Sequence, residues 1–150
     1  MRYGPKDTLS IYAMIVFRKA DKTINEMLMP DIKKYDLTHT QFGVLDILYT
    51  KGSLKIGEII EKLFTTSGNM TCVIKNMEKR GLITKKQDSC DKRAVLIELT
   101  AKGKKLIEEL LPLHRENVEK AFSVLTAEDK ENLITILKKF KQKNGGQQNV

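Results

Sequence analysis

The sequence predicts a mainly α-helical chain with one small β-hairpin near its centre. Three observations carry that class. Apolar residues recur at three- and four-residue steps along most of the 150 residues, the spacing of a buried helix stripe. Two short runs are β-prone, Leu82 to Lys86 and Ala94 to Leu99, and alternation is clearest in Ala94-Val-Leu-Ile-Glu-Leu99. Between them lies a charged turn, Asp88-Ser-Cys-Asp-Lys-Arg93.

The first helix is expected from Asp7 to about Lys34, with Asp7 or Thr8 as its cap. Leu9, Ala13, Val16, Ala20, Ile24, Met27 or Leu28, and Ile32 form its stripe, and Pro30 should interrupt or kink it. The stripe is longer than one small domain can cover, so part of it is expected to pack on another subunit. Tyr35-Asp36-Leu37 breaks the pattern, and Thr38-His-Thr-Gln41 reads as a capping box for a second helix. That helix should bury Phe42, Leu45, Leu48 and Tyr49 and end at Lys51-Gly52. A short third helix, Lys55 to Leu63, has Ile56, Ile59, Ile60 and Leu63 inward; its start reads as poorly capped, since Lys55 cannot accept an amide hydrogen bond.

Thr65 and Thr66 are expected to cap a fourth helix closing at Arg80-Gly81. Met70, Val73, Ile74 and Met77 lie on one face; Gly68, Asn69, Thr71, Cys72, Lys75, Asn76 and Lys79 lie on the other. The third and fourth helices, joined by a tight turn, read as a helix-turn-helix, and the hairpin that follows as its wing. The small, polar, cationic face suits a DNA major groove: small residues permit close approach, amides and hydroxyls reach base edges, and lysines neutralise phosphates. Taken alone, such a face is more often simply solvated. Thr100 caps a fifth helix, Ala101 to about Phe122, with Leu106, Leu110, Leu113 and Phe122 apolar and a bend expected at Pro112. Thr126 opens the last helix, with Leu133, Ile136, Leu137 and Phe140 as its stripe, and residues 143–150 are expected to be disordered.

The formal charge of +8 and pI near 9.4 favour an acidic partner, with nucleic acid ahead of a membrane surface. From Lys75 to Arg93 seven cations face three anions, so a local excess of +4 sits on the fourth helix and the wing. Two cysteines, Cys72 and Cys90, make no disulfide framework, and no apolar run approaches the ~18 residues of a membrane span. A cytoplasmic location without membrane attachment is expected. No phosphate loop, nucleophile elbow or metalloprotease helix occurs, so no enzyme is expected and no catalytic residue can be named. His39 lies in the capping box and His114 beside Arg115 and Glu116; two histidines without a carboxylate cluster read as structural or solvated, so neither a metal nor a cofactor is expected.

Taken together, Leu37-Thr-x-x-Gln-Phe42, Glu78-Lys-Arg-Gly-Leu82, Asp91-Lys-Arg93, Leu99-Thr-x-x-Gly103 and Leu125-Thr126 resemble the MarR family of bacterial winged-helix regulators, over roughly Thr8 to Phe140. The resemblance implies a winged helix-turn-helix with a helical dimerisation domain. Residues 1–36 and 101–142 would form that dimerisation region, and 37–100 the DNA-binding lobe. It further implies a homodimer on a palindromic double-stranded DNA operator, acting as a repressor. Candidate DNA contacts are Thr38, Thr66, Ser67, Gly68, Asn69, Thr71, Cys72, Lys75 and Lys79, with Asp91, Lys92 and Arg93 in the wing. By the resemblance, Arg93 enters a minor groove, whose concentrated negative potential suits a long planar cation, and Asp91 holds it in place.

Relatives often bind phenolic or other aromatic anions between the dimer helices and the DNA-binding lobe. Tyr12, Phe17 and Phe42 are the candidates to line such a crevice here, with plain core packing as the simpler reading. Peroxide sensing through a first-helix cysteine is not expected, because that helix has none. An electrophile could instead act at Cys72, on the DNA-facing side, although a small residue permitting close approach is the simpler role; Cys90 on the wing is the next thiol to consider. The competing functional class is a winged-helix protein-interaction module without sequence-specific DNA binding, against which Arg93 and the local positive charge argue.

Overall fold

A computed structural model of the chain describes residues 5–63 and 67–142. Among these residues six helices and three short strands follow in the order α1 (Pro5–Lys34), α2 (His39–Lys51), β1 (Leu54–Lys55), α3 (Ile56–Leu63), α4 (Ser67–Lys79), β2 (Ile83–Gln87), β3 (Val95–Leu99), α5 (Ala101–Phe122) and α6 (Ala127–Gln142). The fold class is mainly α with a small hairpin wing. The expected tail, residues 143–150, and the expected caps Thr65 and Thr66 lie outside the described residues.

Local chemistry sets most boundaries. The Thr38 hydroxyl accepts the Gln41 amide at 3.2 Å while the Gln41 side chain accepts the Thr38 amide at 3.0 Å, a complete capping box for α2. Gly52, at φ 82°, ends α2 with its N–H on the Leu48 carbonyl. Thr126 and Asp129 exchange the same pair of bonds at the start of α6, at 2.9 and 3.1 Å. Contrary to expectation, the chain entering α3 is not left bare. The Glu58 carboxylate reaches back to accept the Lys55 amide at 2.8 Å, so the cap comes from inside the helix rather than from Lys55. Neither proline ends its helix: α1 runs through Pro30 to Lys34 and α5 through Pro112 to Phe122. Around both prolines the helix is anchored on the core, through Leu28 and Ile32 and through Leu110 and Leu111.

The core gathers Ile32, Leu37, Phe42, Leu45, Leu48, Ile59, Met70, Ile74, Met77, Leu82, Ile83, Ile97, Ile107 and Leu110 from every element except α6 and β1. Strand β3 lies between β1 and β2, antiparallel to both, with Ile83 opposite Leu99 and Leu54 opposite Ile97. Strand β1 is an addition to the expected hairpin; two residues carry no readable alternation. Two expected positions are corrected. Tyr49 is 41% exposed and places its hydroxyl 3.4 Å from Glu108, on α5. Leu110, on a helix that the resemblance assigned to the dimerisation region, is fully buried within the protomer, because α5 packs along α1 and α2. The apolar surface left in the open lies elsewhere: Leu9, Tyr12, Val16 and Phe17 on α1, and Ile136, Leu137 and Phe140 on α6.

Candidate nucleic-acid interface

Helix α4 is pinned by its apolar side and open on the other. Met70, Ile74 and Met77 are buried and Val73 half-buried, whereas Gly68, Asn69, Thr71, Cys72, Lys75, Asn76 and Lys79 are all exposed. The structure therefore gathers on one face the residues the sequence assigned to it. A β-carbon on Gly68 would meet nothing within 4 Å, so glycine is not required by packing; it keeps the outer face low. Asn76 donates to the Cys72 sulfur at 3.8 Å, one helical turn apart. Thr66 and the side chain of Ser67 lie outside the described residues. Thr38 is exposed at the start of α2; its oxygen serves the helix cap as acceptor, which leaves the hydroxyl proton as a donor.

The wing turn is held by its own polar groups. Ala94 donates its N–H to the Asp91 carbonyl at 2.9 Å, Asp88 to the Ala94 carbonyl at 3.0 Å, and the Gln87 amide to the Lys92 carbonyl at 2.7 Å. The Asp91 carboxylate accepts the backbone N–H of Arg93 at 3.0 Å, and Asp88 accepts that of Cys90 at 3.0 Å. Asp91 thus holds Arg93 by its backbone. No carboxylate among the described residues pairs with the Arg93 guanidinium, and Asp91, Lys92 and Arg93 are all exposed. A rigid turn that presents an unneutralised cation is suited to an anionic groove. Lys85 differs: it pairs with Glu78 across the α4–β2 junction at 3.7 Å.

The three candidate effector residues are not brought into one environment. Tyr12 and Phe17 are 64% and 53% exposed on α1, while Phe42 is in the core. Phe42 meets His114 instead, with ring centroids 4.5 Å apart. His114 is half-buried, its Nδ1 is buried without a partner among the described residues, and burial lowers its pKa from the ordinary 6.5. Asp46 and Asp31 oppose that shift and His39 adds to it. Asp31 accepts from Asn117, joining α1 to α5 beside this pair. Sequence reading missed this junction because a lone histidine on a helix carries no pattern. Among the described residues no three His, Cys, Asp or Glu side chains are placed to hold a metal ion, and no helix is long and apolar enough to cross a membrane.

Residues 37–95 match the MarR family. The chain is 38% identical to the uncharacterised HTH-type transcriptional regulator YkoM of Bacillus subtilis, across 83% of this chain and 80% of that one. It is 32% identical to the HTH-type transcriptional regulator MhqR of the same organism, across 87% and 90%. Among solved structures it is similar to BpsR of Bordetella bronchiseptica, whose DNA binding is regulated by 6-hydroxynicotinic acid, with a TM-score of 0.76, 25% identity, and 84% and 90% of the two chains covered. With a matching family model and identities of 38% and 32% over more than four-fifths of its length, the chain belongs to the MarR family of helix-turn-helix transcriptional regulators.

Proposed function

We propose that this chain is a repressor that binds a palindromic operator as a homodimer and leaves it when a small aromatic or electrophilic molecule binds. The observation that carries the reading is α4: Gly68, Asn69, Thr71, Cys72, Lys75, Asn76 and Lys79, each small, polar or cationic, are exposed over an apolar back that is sealed into the core. Asn69 and Thr71 would read base edges, Lys75 and Lys79 would meet phosphates, and Arg93 would enter the flanking minor groove. Residues 37–100 serve as the DNA-binding lobe.

The pairing surface is supplied by residues 1–36 and 101–142, where Leu9, Tyr12, Val16 and Phe17 of α1 and Ile136, Leu137 and Phe140 of α6 are exposed. A two-fold pair of such faces buries both, and its symmetry calls for two half-sites about one DNA turn apart. The regulation of BpsR by 6-hydroxynicotinic acid supports an aromatic effector here, with Tyr12, Phe17 and Phe42 as its candidate partners once two copies meet. Modification of Cys72 would add bulk on the DNA side of α4 and is the electrophile route. A salt titration of duplex DNA binding tests the reading against a protein-interaction module. A repressor loses affinity steeply and log-linearly with salt as counterions return. Affinity for DNA that is negligible even at low salt would reject it.

A further inference from the structure

We propose that Arg80 is a positioning residue for DNA recognition: its guanidinium fastens the C-terminal turn of α4 to the end of α1 and so sets the direction in which α4 is presented. This rests on the reading that α4 enters the groove. The two helix ends it joins are built alike. Helix α1 closes with Asp36 at φ 57°, its N–H on the Lys33 carbonyl at 2.9 Å, and Leu37 N–H on the Ile32 carbonyl at 3.2 Å. Helix α4 closes with Gly81 at φ 71°, its N–H on Glu78 at 2.9 Å, and Leu82 N–H on Met77 at 3.1 Å. In each, a left-handed residue turns the chain and the next leucine drops into the core.

Such an end leaves later carbonyls facing outward. At α1 those are the carbonyls of Tyr35 and Asp36, and both accept from Arg80: Nη1 donates to Asp36 at 2.6 Å and Nη2 to Tyr35 at 3.4 Å. A planar fork spans two successive carbonyls, which a single ammonium cannot do, and its charge sits at the negative end of the α1 dipole. On the other side of the same turn, the Arg80 carbonyl accepts from Lys102 Nζ at 2.8 Å. The Thr100 hydroxyl donates to the Gly81 carbonyl at 2.5 Å, and the Thr100 N–H to the Leu82 carbonyl at 3.1 Å. Residues 80–82 are therefore gripped by the end of α1 and by the start of α5. Of the seven cations from Lys75 to Arg93, Arg80 alone is half-buried; the other six are exposed. Its fork is engaged with the protein rather than offered to phosphate.

Without the fork, the C-terminal end of α4 can pivot on α1. Base contacts depend on direction and phosphate attraction hardly does, so preference for the operator falls while general DNA affinity stays. The test compares the full-length parent, Arg80→Met, which keeps the aliphatic stem, and Arg80→Lys, which restores one donor. Each is bound to the fragment that the parent selects and to an unrelated duplex of equal length, over a salt series, at a temperature where circular dichroism shows all three folded. The expected result is a loss of about tenfold in preference for the selected fragment in Arg80→Met, the scale of one hydrogen bond to a charged group. Arg80→Lys should fall between, and the salt slope should not change. Should Arg80→Met fail to fold, Arg80→Lys alone decides, by a reduced preference at constant slope. Unchanged preference overturns the proposal. So does a salt slope lowered by about 0.9 on both duplexes, which would make Arg80 a phosphate contact. A parent that prefers no fragment overturns the groove reading, and the proposal with it.

Discussion

Replacing Gly103 with alanine adds one methyl group where the first turn of α5 meets the Leu82 backbone. Gly103 is buried in the first turn of α5, and a β-carbon there would overlap the Leu82 carbonyl oxygen and lie 2.9 Å from its carbon. Carbon atoms pack at about 3.5–4.0 Å, so the two backbones must part by roughly an ångström. Three hydrogen bonds converge on Thr100 at this point: its N–H to Leu82 at 3.1 Å, its hydroxyl to Gly81 at 2.5 Å, and the Gly103 N–H to its hydroxyl at 3.0 Å. Losing the first two costs about 1 kcal/mol each, and distorting the cap about 1 kcal/mol more. Alanine returns about 1 kcal/mol through helix propensity, so the net loss is about 2 kcal/mol. Gly57, exposed in α3 with nothing within 4 Å of its β-carbon position, is the control, and Gly57→Ala should stabilise by about 0.5–1 kcal/mol. The assay is urea unfolding followed by circular dichroism at one fixed protomer concentration, since association shifts the midpoint. If Gly103→Ala matches the parent, the α4–β2 turn is not clamped against α5 and the reasoning is wrong.

Arg93→Ala should weaken operator binding by about 1–3 kcal/mol without moving the urea midpoint, measured by fluorescence anisotropy at moderate salt; unchanged affinity would mean the wing is not inserted. Asn69→Ala and Thr71→Ala should alter the ranking of operator variants, whereas Lys75→Ala and Lys79→Ala should lower affinity almost uniformly and reduce the salt slope. An unaltered ranking for Asn69→Ala would show α4 rotated from its assigned facing. For His114, burial lowers the folded pKa below the unfolded 6.5, so the unfolded chain takes up the proton more readily. Its contribution to stability is complete above about 6.5 and is lost as pH falls through that value towards the folded pKa. Urea midpoints measured from about pH 8 down to 5 should therefore drop more steeply in the parent than in His114→Gln, and parallel curves would reject the assignment.

Much of the frame was legible because it is written in local chemistry. Thr38 with Gln41, Gly81 before Leu82, Thr100 before Ala101 and Thr126 before Ala127 each act within one helical turn, and each marks a boundary in the structure. The two faces of α4 were legible for the same reason, since periodicity alone separates Met70, Val73, Ile74 and Met77 from the rest. What escaped depends on partners distant in sequence. Strand β1 exists through its pairing with β3, Leu110 is buried through the way α5 lies against α1 and α2, and Phe42 packs on a histidine 72 positions away. The Asp91–Arg93 signature was visible, but not that the carboxylate grips the backbone N–H of Arg93 rather than its guanidinium. Arg80 stood in a motif whose glycine and leucine explained themselves; its own acceptors lie 44 and 45 residues upstream.

If two copies of α4 and the wing read a two-fold DNA site, selection from random DNA will reveal its symmetry. The purified full-length chain is incubated with a library of random duplexes at physiological salt, and the retained fragments are sequenced. The expected result is enrichment of an inverted repeat whose half-site centres lie about 10 base pairs apart, one turn of the duplex. Retained fragments with the same composition as the starting library would contradict it.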